Sequence, residues 1–176
     1  MHTFGDVEEF AISYELNEHY GGHWLFGKFC YWIGGKVVGD YELGISLSEV
    51  IAELRTFAID NGNRENIDLF QLSPEELYMR LNSTLYGNGN PEFEELALKE
   101  CWARFQVCPL LDIFNDWQIY LIDSPPKARI IYSFSKEDVV EINLPAGSFD
   151  RVIIDVFNAL FDIHEVEMTK TLPVQE

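Results

Sequence analysis

Phe10, Ile12 and Tyr14 alternate with smaller or polar neighbours and Leu16 continues the series, so residues 8–16 are expected to form a half-buried strand. "NEHYGGH" (17–23) reads as a turn. "WLFGKFCYWI" (24–33) carries aromatics at both parities and is expected as a second strand. Gly34 and Gly35 suit a two-residue hairpin turn, which needs positive φ, and lead into a third strand over "KVVGDY" (36–41). The period then changes from two to 3.6. Leu47, Val50, Ile51, Leu54, Phe57 and Ala58 form one apolar helical face, and Ser46 with Glu49 has the spacing of a capping box. "DNGNR" (60–64) ends that helix. Ser73, Pro74 and Glu76 open a second, with the stripe Leu77, Leu81 and Leu85. "YGNGNP" (86–91) stops it, and "PEFEELALKECWARF" (91–105) is read as a third helix with an acidic first turn.

"DWQIYLID" and "KARIIYSF" flank Ser124-Pro125-Pro126 as a hairpin, "DVVEINL" (138–144) adds a strand, and a last helix spans about 148–163. Its face of Phe149, Val152, Ile153, Val156, Phe157, Leu160 and Phe161 marks it as a principal core helix. The order βββ-ααα-βββ-α gives an α+β fold. The expectation is one mostly antiparallel sheet of about six strands packed by helices, in a single domain over 1–176.

Composition narrows the function. A chain of 176 residues, 47% apolar, can bury a core without disulfides or metal. The three cysteines, Cys30, Cys101 and Cys108, are odd in number and form no CxxC, which points to a reducing compartment. The N-terminus lacks the pattern of a signal peptide, and no apolar run approaches a membrane span, so the expected location is cytoplasmic. Thirty acidic residues against twelve basic ones give a net charge of −18. That charge repels nucleic-acid phosphate and anionic membranes and attracts a basic protein.

Candidate chemistry is sparse. His19 and His23 are four apart, but the glycines between them oppose the helix that would aim both at a metal. Cys30 would need a histidine base to act as a nucleophile, and a strand cysteine between Phe29 and Tyr31 is more simply a core residue. "GNGN" (87–90) and "GDYELG" (39–44) fit no phosphate-binding motif. Asp40 and Glu42, if the strand continues through them, share one face with Tyr41 on the other. They suit acid–base work, a basic partner surface, or a solvated strand end. Trp24, Phe26, Tyr31 and Trp32 are sheet packing, unless one face of that strand is an interaction surface, where Trp and Tyr are favoured. No catalytic residue, metal ligand or cofactor is assigned.

"FGDVEEFAISYEL" (4–16), "WLFGKFCYWIGGKVVGDYELGISLSEV" (24–50) and "NGNR" (61–64), with "LPAGSFDRVIIDVF" (144–157), resemble the immunity protein 42 family of bacterial polymorphic-toxin systems. The resemblance covers most of the chain and is sharpest over 24–50. It implies a non-enzymatic, cytoplasmic inhibitor that binds a cognate toxin domain, with nucleases among the candidate toxins and a basic face as the natural counterpart of an acidic chain. Trp32, Asp40, Tyr41 and Glu42 are then the candidate partner contacts, and 86–100 is a second candidate segment. A small cytosolic enzyme and a general acidic interaction module are the alternatives.

Overall fold

The computed structural model describes residues 1–87 and 90–171. The fold is α+β, as expected, but the strands form two sheets where one was expected. The backbone divides into two compact units. The first comprises Met1–Ile59, Pro109–Asn115 and the C-terminal helix; the second comprises Asp60–Cys108 and Asp116–Gly147.

The first unit holds strands β1 (His2–Asp6), β2 (Phe10–Leu16), β3 (Phe26–Ile33), β4 (Lys36–Val38) and β5 (Ile45–Ser46), with helices α1 (Leu47–Ile59) and α5 (Ser148–Thr171). The order is β1-β2-β3-β4, with β5 also paired to β3, and every pairing is antiparallel. Both edges of β3 are therefore occupied by near neighbours in sequence, and β6–β8 pair among themselves, which accounts for two sheets. One face of the first sheet carries Phe10, Ile12 and Tyr14 opposite Ile33, Tyr31 and Phe29, all buried. Phe149 of α5 meets Phe10 at 4.7 Å between ring centroids, and Val152, Ile153, Val156 and Leu160 continue the buried stripe. Each such side chain contributes about 1.5–3 kcal/mol on burial.

Gly34 (φ 58°) and Gly35 (φ 76°) make the expected tight turn. The next strand is shorter than expected. It ends at Val38, because Gly39 (φ 100°) swings the chain away and its Cα packs on the Phe114 ring, where a Cβ would lie 2.9 Å from Cε1. The helix after it starts where the pattern placed it, but its cap differs. Leu47 N donates to Leu25 O and Ser48 N to Trp24 O, while the Ser46 hydroxyl donates to Trp24 O at 2.7 Å. Carbonyls of the residues just before β3 thus satisfy the first turn in place of a serine side chain.

The second unit holds β6 (Trp117–Ser124), β7 (Lys127–Phe134) and β8 (Val140–Pro145) in an antiparallel meander, with α2 (Ile67–Phe70), α3 (Pro74–Tyr86) and α4 (Pro91–Ala97). Its core joins Leu69, Leu77, Leu81, Trp102 and Phe105 to Tyr120, Ile122 and Ile131. The capping box of Ser73 and Glu76 forms as read, with Pro74 in the first turn. The helix expected over 91–105 is broken. α4 ends at Ala97, and a 3-10 turn at Trp102–Phe105 follows, with Trp102 Nε1 donating to Leu96 O at 2.8 Å.

Candidate functional site

Alternation sends Glu15, Ser13 and Ala11 of β2 and Lys28, Cys30 and Trp32 of β3 to the side of the first sheet opposite its helices. This face is built differently from the inner one. Ala11, Ser13 and Cys30 are small and buried, and larger side chains lie over them. Trp32 is half-buried and reaches across Ser13, with Nε1 donating to its hydroxyl at 2.9 Å, while Thr3 Oγ1 bonds the same hydroxyl at 2.8 Å. Val37, opposite Trp32 in the ladder, is exposed beside it.

The segment Asp40–Leu43 closes the other end of this face, as a turn and not as a strand. Asp40 Oδ1 accepts from Glu42 N at 3.1 Å and from Leu43 N at 3.3 Å, an aspartate turn, and Asp40 N donates to Ile113 O at 2.9 Å. The strand alternation expected of Asp40, Tyr41 and Glu42 therefore does not occur. Tyr41 folds back toward β2 and β3, half-buried, with its hydroxyl donating to Glu15 Oε2 at 3.4 Å and its ring 5.4 Å from Lys28 Nζ. Lys28 Nζ donates to Glu42 Oε2 at 2.6 Å. Burial, with the Glu15 carboxylate beside it, pushes the Tyr41 phenol up to about 12. The Glu42 hydrogen bond raises the Lys28 ammonium.

The structure thus brings Trp32, Tyr41 and Glu42 onto one face, and leaves the exposed Asp40 to hold the turn that presents them. Its chemical content is aromatic, apolar and acidic, with one basic group, Lys28, paired to Glu42. The Cys30 thiol lies beneath this layer, and burial pushes it up to about 11. It keeps its proton at neutral pH, the opposite of what nucleophilic attack uses. His19 and His23 lie in the exposed segment before β3; His23 O bonds His164 Nε2 at 3.1 Å. Among the described residues, no group of three or more His, Cys, Asp or Glu side chains is placed to hold a metal ion. Of the "GNGN" loop, Asn88 and Gly89 lie outside the described residues. No helix among the described residues is long and apolar enough to cross a membrane.

Two buried arginines went unmarked in the sequence reading. Arg64 donates through Nε to Arg104 O at 2.8 Å and through Nη1 to Asp60 O at 3.3 Å. Arg129 donates through Nε to Glu141 Oε1 at 2.8 Å and through Nη1 to the carbonyls of Phe70 and Leu72. Arg129 ties the segment around Phe70–Leu72 to the sheet of the second unit, and Arg64 ties its own loop to the 3-10 turn at Trp102–Phe105. The sequence signal was available for one of them: Arg129 sits mid-strand among aliphatic residues, where an unpaired charge would be costly.

A family model described as "Immunity protein 42" matches residues 1–159. Among solved structures, the chain is similar to CdiI from Burkholderia dolosa AUO158, with a TM-score of 0.72 and 21% sequence identity over 90% of this chain and 99% of that one. At that identity the likeness is one of fold. No curated protein matches the chain.

Proposed function

The chain belongs to the immunity protein 42 family and neutralises a toxin, and we propose that it does so by docking, without chemistry of its own, through the face that carries Trp32, Tyr41 and Glu42. The observation that supports this reading is the make-up of that face. An indole and a phenol lie over small buried residues, flanked by Val37 and by the carboxylates of Glu15, Asp40 and Glu42. Aromatic anchors ringed by polar groups are the residues that carry binding energy in protein interfaces. The net charge of −18 favours a toxin domain with a basic face, such as the substrate face of a nuclease. The cytoplasm, where such a toxin meets its target, is the proposed site of action.

The test is rescue. A candidate toxin domain, sought at the C-terminus of a large protein encoded beside this chain, is expressed in a susceptible bacterium, with and without this chain. Growth lost and then restored supports the reading. A toxic domain against which the chain gives no protection at matched expression overturns that pairing. Replacing Trp32, Tyr41 and Glu42 by alanine then tests the surface, with lost protection at unchanged folding as the expected result.

A further inference from the structure

Beside the Asp40–Leu43 turn the first unit opens a cleft of ≈650 Å³. Trp24, Phe26, Leu43 and Leu110 line it, and they are 52%, 47%, 47% and 79% exposed. Four large apolar side chains thus border one cleft while staying about half exposed or more, in a lining that mixes apolar and polar groups. The rim is acidic, with Glu49, Glu53 and Asp112, and none of the lining residues is basic. The walls are held in place by backbone. Phe26 pairs with Ser46 across the β3–β5 ladder, and Leu110 N donates to Glu53 Oε2 at 2.8 Å, which pins the 109–113 segment to α1. Leu43 and Phe26 also make the cleft continuous with the face already described: Leu43 follows Glu42, and Phe26 shares the parity of Lys28 on β3.

Resting on the reading above, we infer that this cleft receives a projecting loop of the toxin domain that places an apolar side chain next to a lysine or arginine. The apolar side chain fills the space between Trp24, Phe26, Leu43 and Leu110. The cation meets Glu49 and Asp112 at the rim. Charge complementarity selects this occupant: a neutral or acidic loop of the same shape would bring no partner for the rim carboxylates. The cleft is thereby a specificity pocket, and the Trp32–Tyr41 face is the surface beside it.

The experiment is a binding titration of the purified chain with the toxin domain that the rescue assay pairs with it, by calorimetry and by association kinetics. Trp24→Ala, Leu43→Ala and Leu110→Ala are compared with Glu49→Lys, all at exposed side chains, with thermal melts to confirm folding. The expected result is a weakening of about tenfold or more for at least one of the apolar truncations. Glu49→Lys should slow association several-fold at low salt, an effect that fades as salt is raised. If the wild-type chain binds and all four variants match it, the cleft assignment is overturned while the docking reading stands. If the wild-type chain does not bind the domain, the docking reading with that partner fails, and the cleft assignment with it.

Discussion

Arg129 is almost wholly buried, and its guanidinium is spent on the carbonyls of Phe70 and Leu72 and on the Glu141 carboxylate. Removing it strands those acceptors, so Arg129→Met should cost about 3 kcal/mol of stability. That loss corresponds to a melting temperature lower by on the order of 10 °C in a chain of this length, read by calorimetry. Tyr41 gives a test with a sign. Its phenol is held up to about 12 by burial and by Glu15, against an ordinary value of 10.0. The folded chain keeps that proton where the unfolded chain loses it. The stabilisation is complete below pH 10 and is lost as pH rises through about 12. Denaturant midpoints should therefore fall more steeply over that window in the wild type than in Tyr41→Phe. The aromatic identity of such residues was legible from the sequence, but the direction in which Tyr41 points was not. That direction follows from the aspartate turn, and a turn of this kind leaves no periodicity to read.

Among the elements, the turn at Gly39 decides the most. Val37 and Val38 carry strand propensity straight into "GDY", and nothing local separates an ending strand from a continuing one. The difference lies in the Phe114 ring, 75 residues away in the chain, against which only a glycine at φ 100° fits. Gly39→Ala is expected to cost about 1–3 kcal/mol through strain and steric contact. It should also loosen residues 40–43, seen as faster amide exchange at Glu42 and Leu43. Hydrophobic periodicity found the longer pieces, β2, β3, α1, α3, β6, β7 and α5, because each repeats its pattern several times. It missed β1, whose exposed "HTFGD" shows no apolar alternation, and α2, whose four residues are too few to display a period. Local chemistry succeeded where it was self-contained, as in Ser73 and Glu76, whose bonds involve only each other. Ser73→Ala should accordingly cost about 1 kcal/mol, measured by denaturant unfolding.

Across the chain as a unit of charge, −18 acts on both stability and association. Like charges repel in the folded state, and salt screens them over a Debye length of about 8–10 Å at moderate ionic strength. The melting temperature of the free chain should rise from low to moderate salt, while the rate of toxin association should fall. A flat response in both would mean that local ion pairs such as Lys28–Glu42 already neutralise the field where it counts.

The far edge of β3 is shared by two short strands, β4 and β5, and the chain between them joins the backbone ladder only at its ends, its middle being held by the side-chain contacts of Tyr41 and Glu42. Gly39 sits against Phe114, Asp40 N is bound to Ile113 O, and Ile45 re-enters the ladder. The span Tyr41–Gly44 contributes no rung to either pairing. Insertions, deletions and substitutions there leave the sheet register and the α5 core contacts untouched. In an arms race with a changing toxin, such a segment can be rewritten while the scaffold is inherited intact, so new partner choices can arise without first destabilising the protein that makes them.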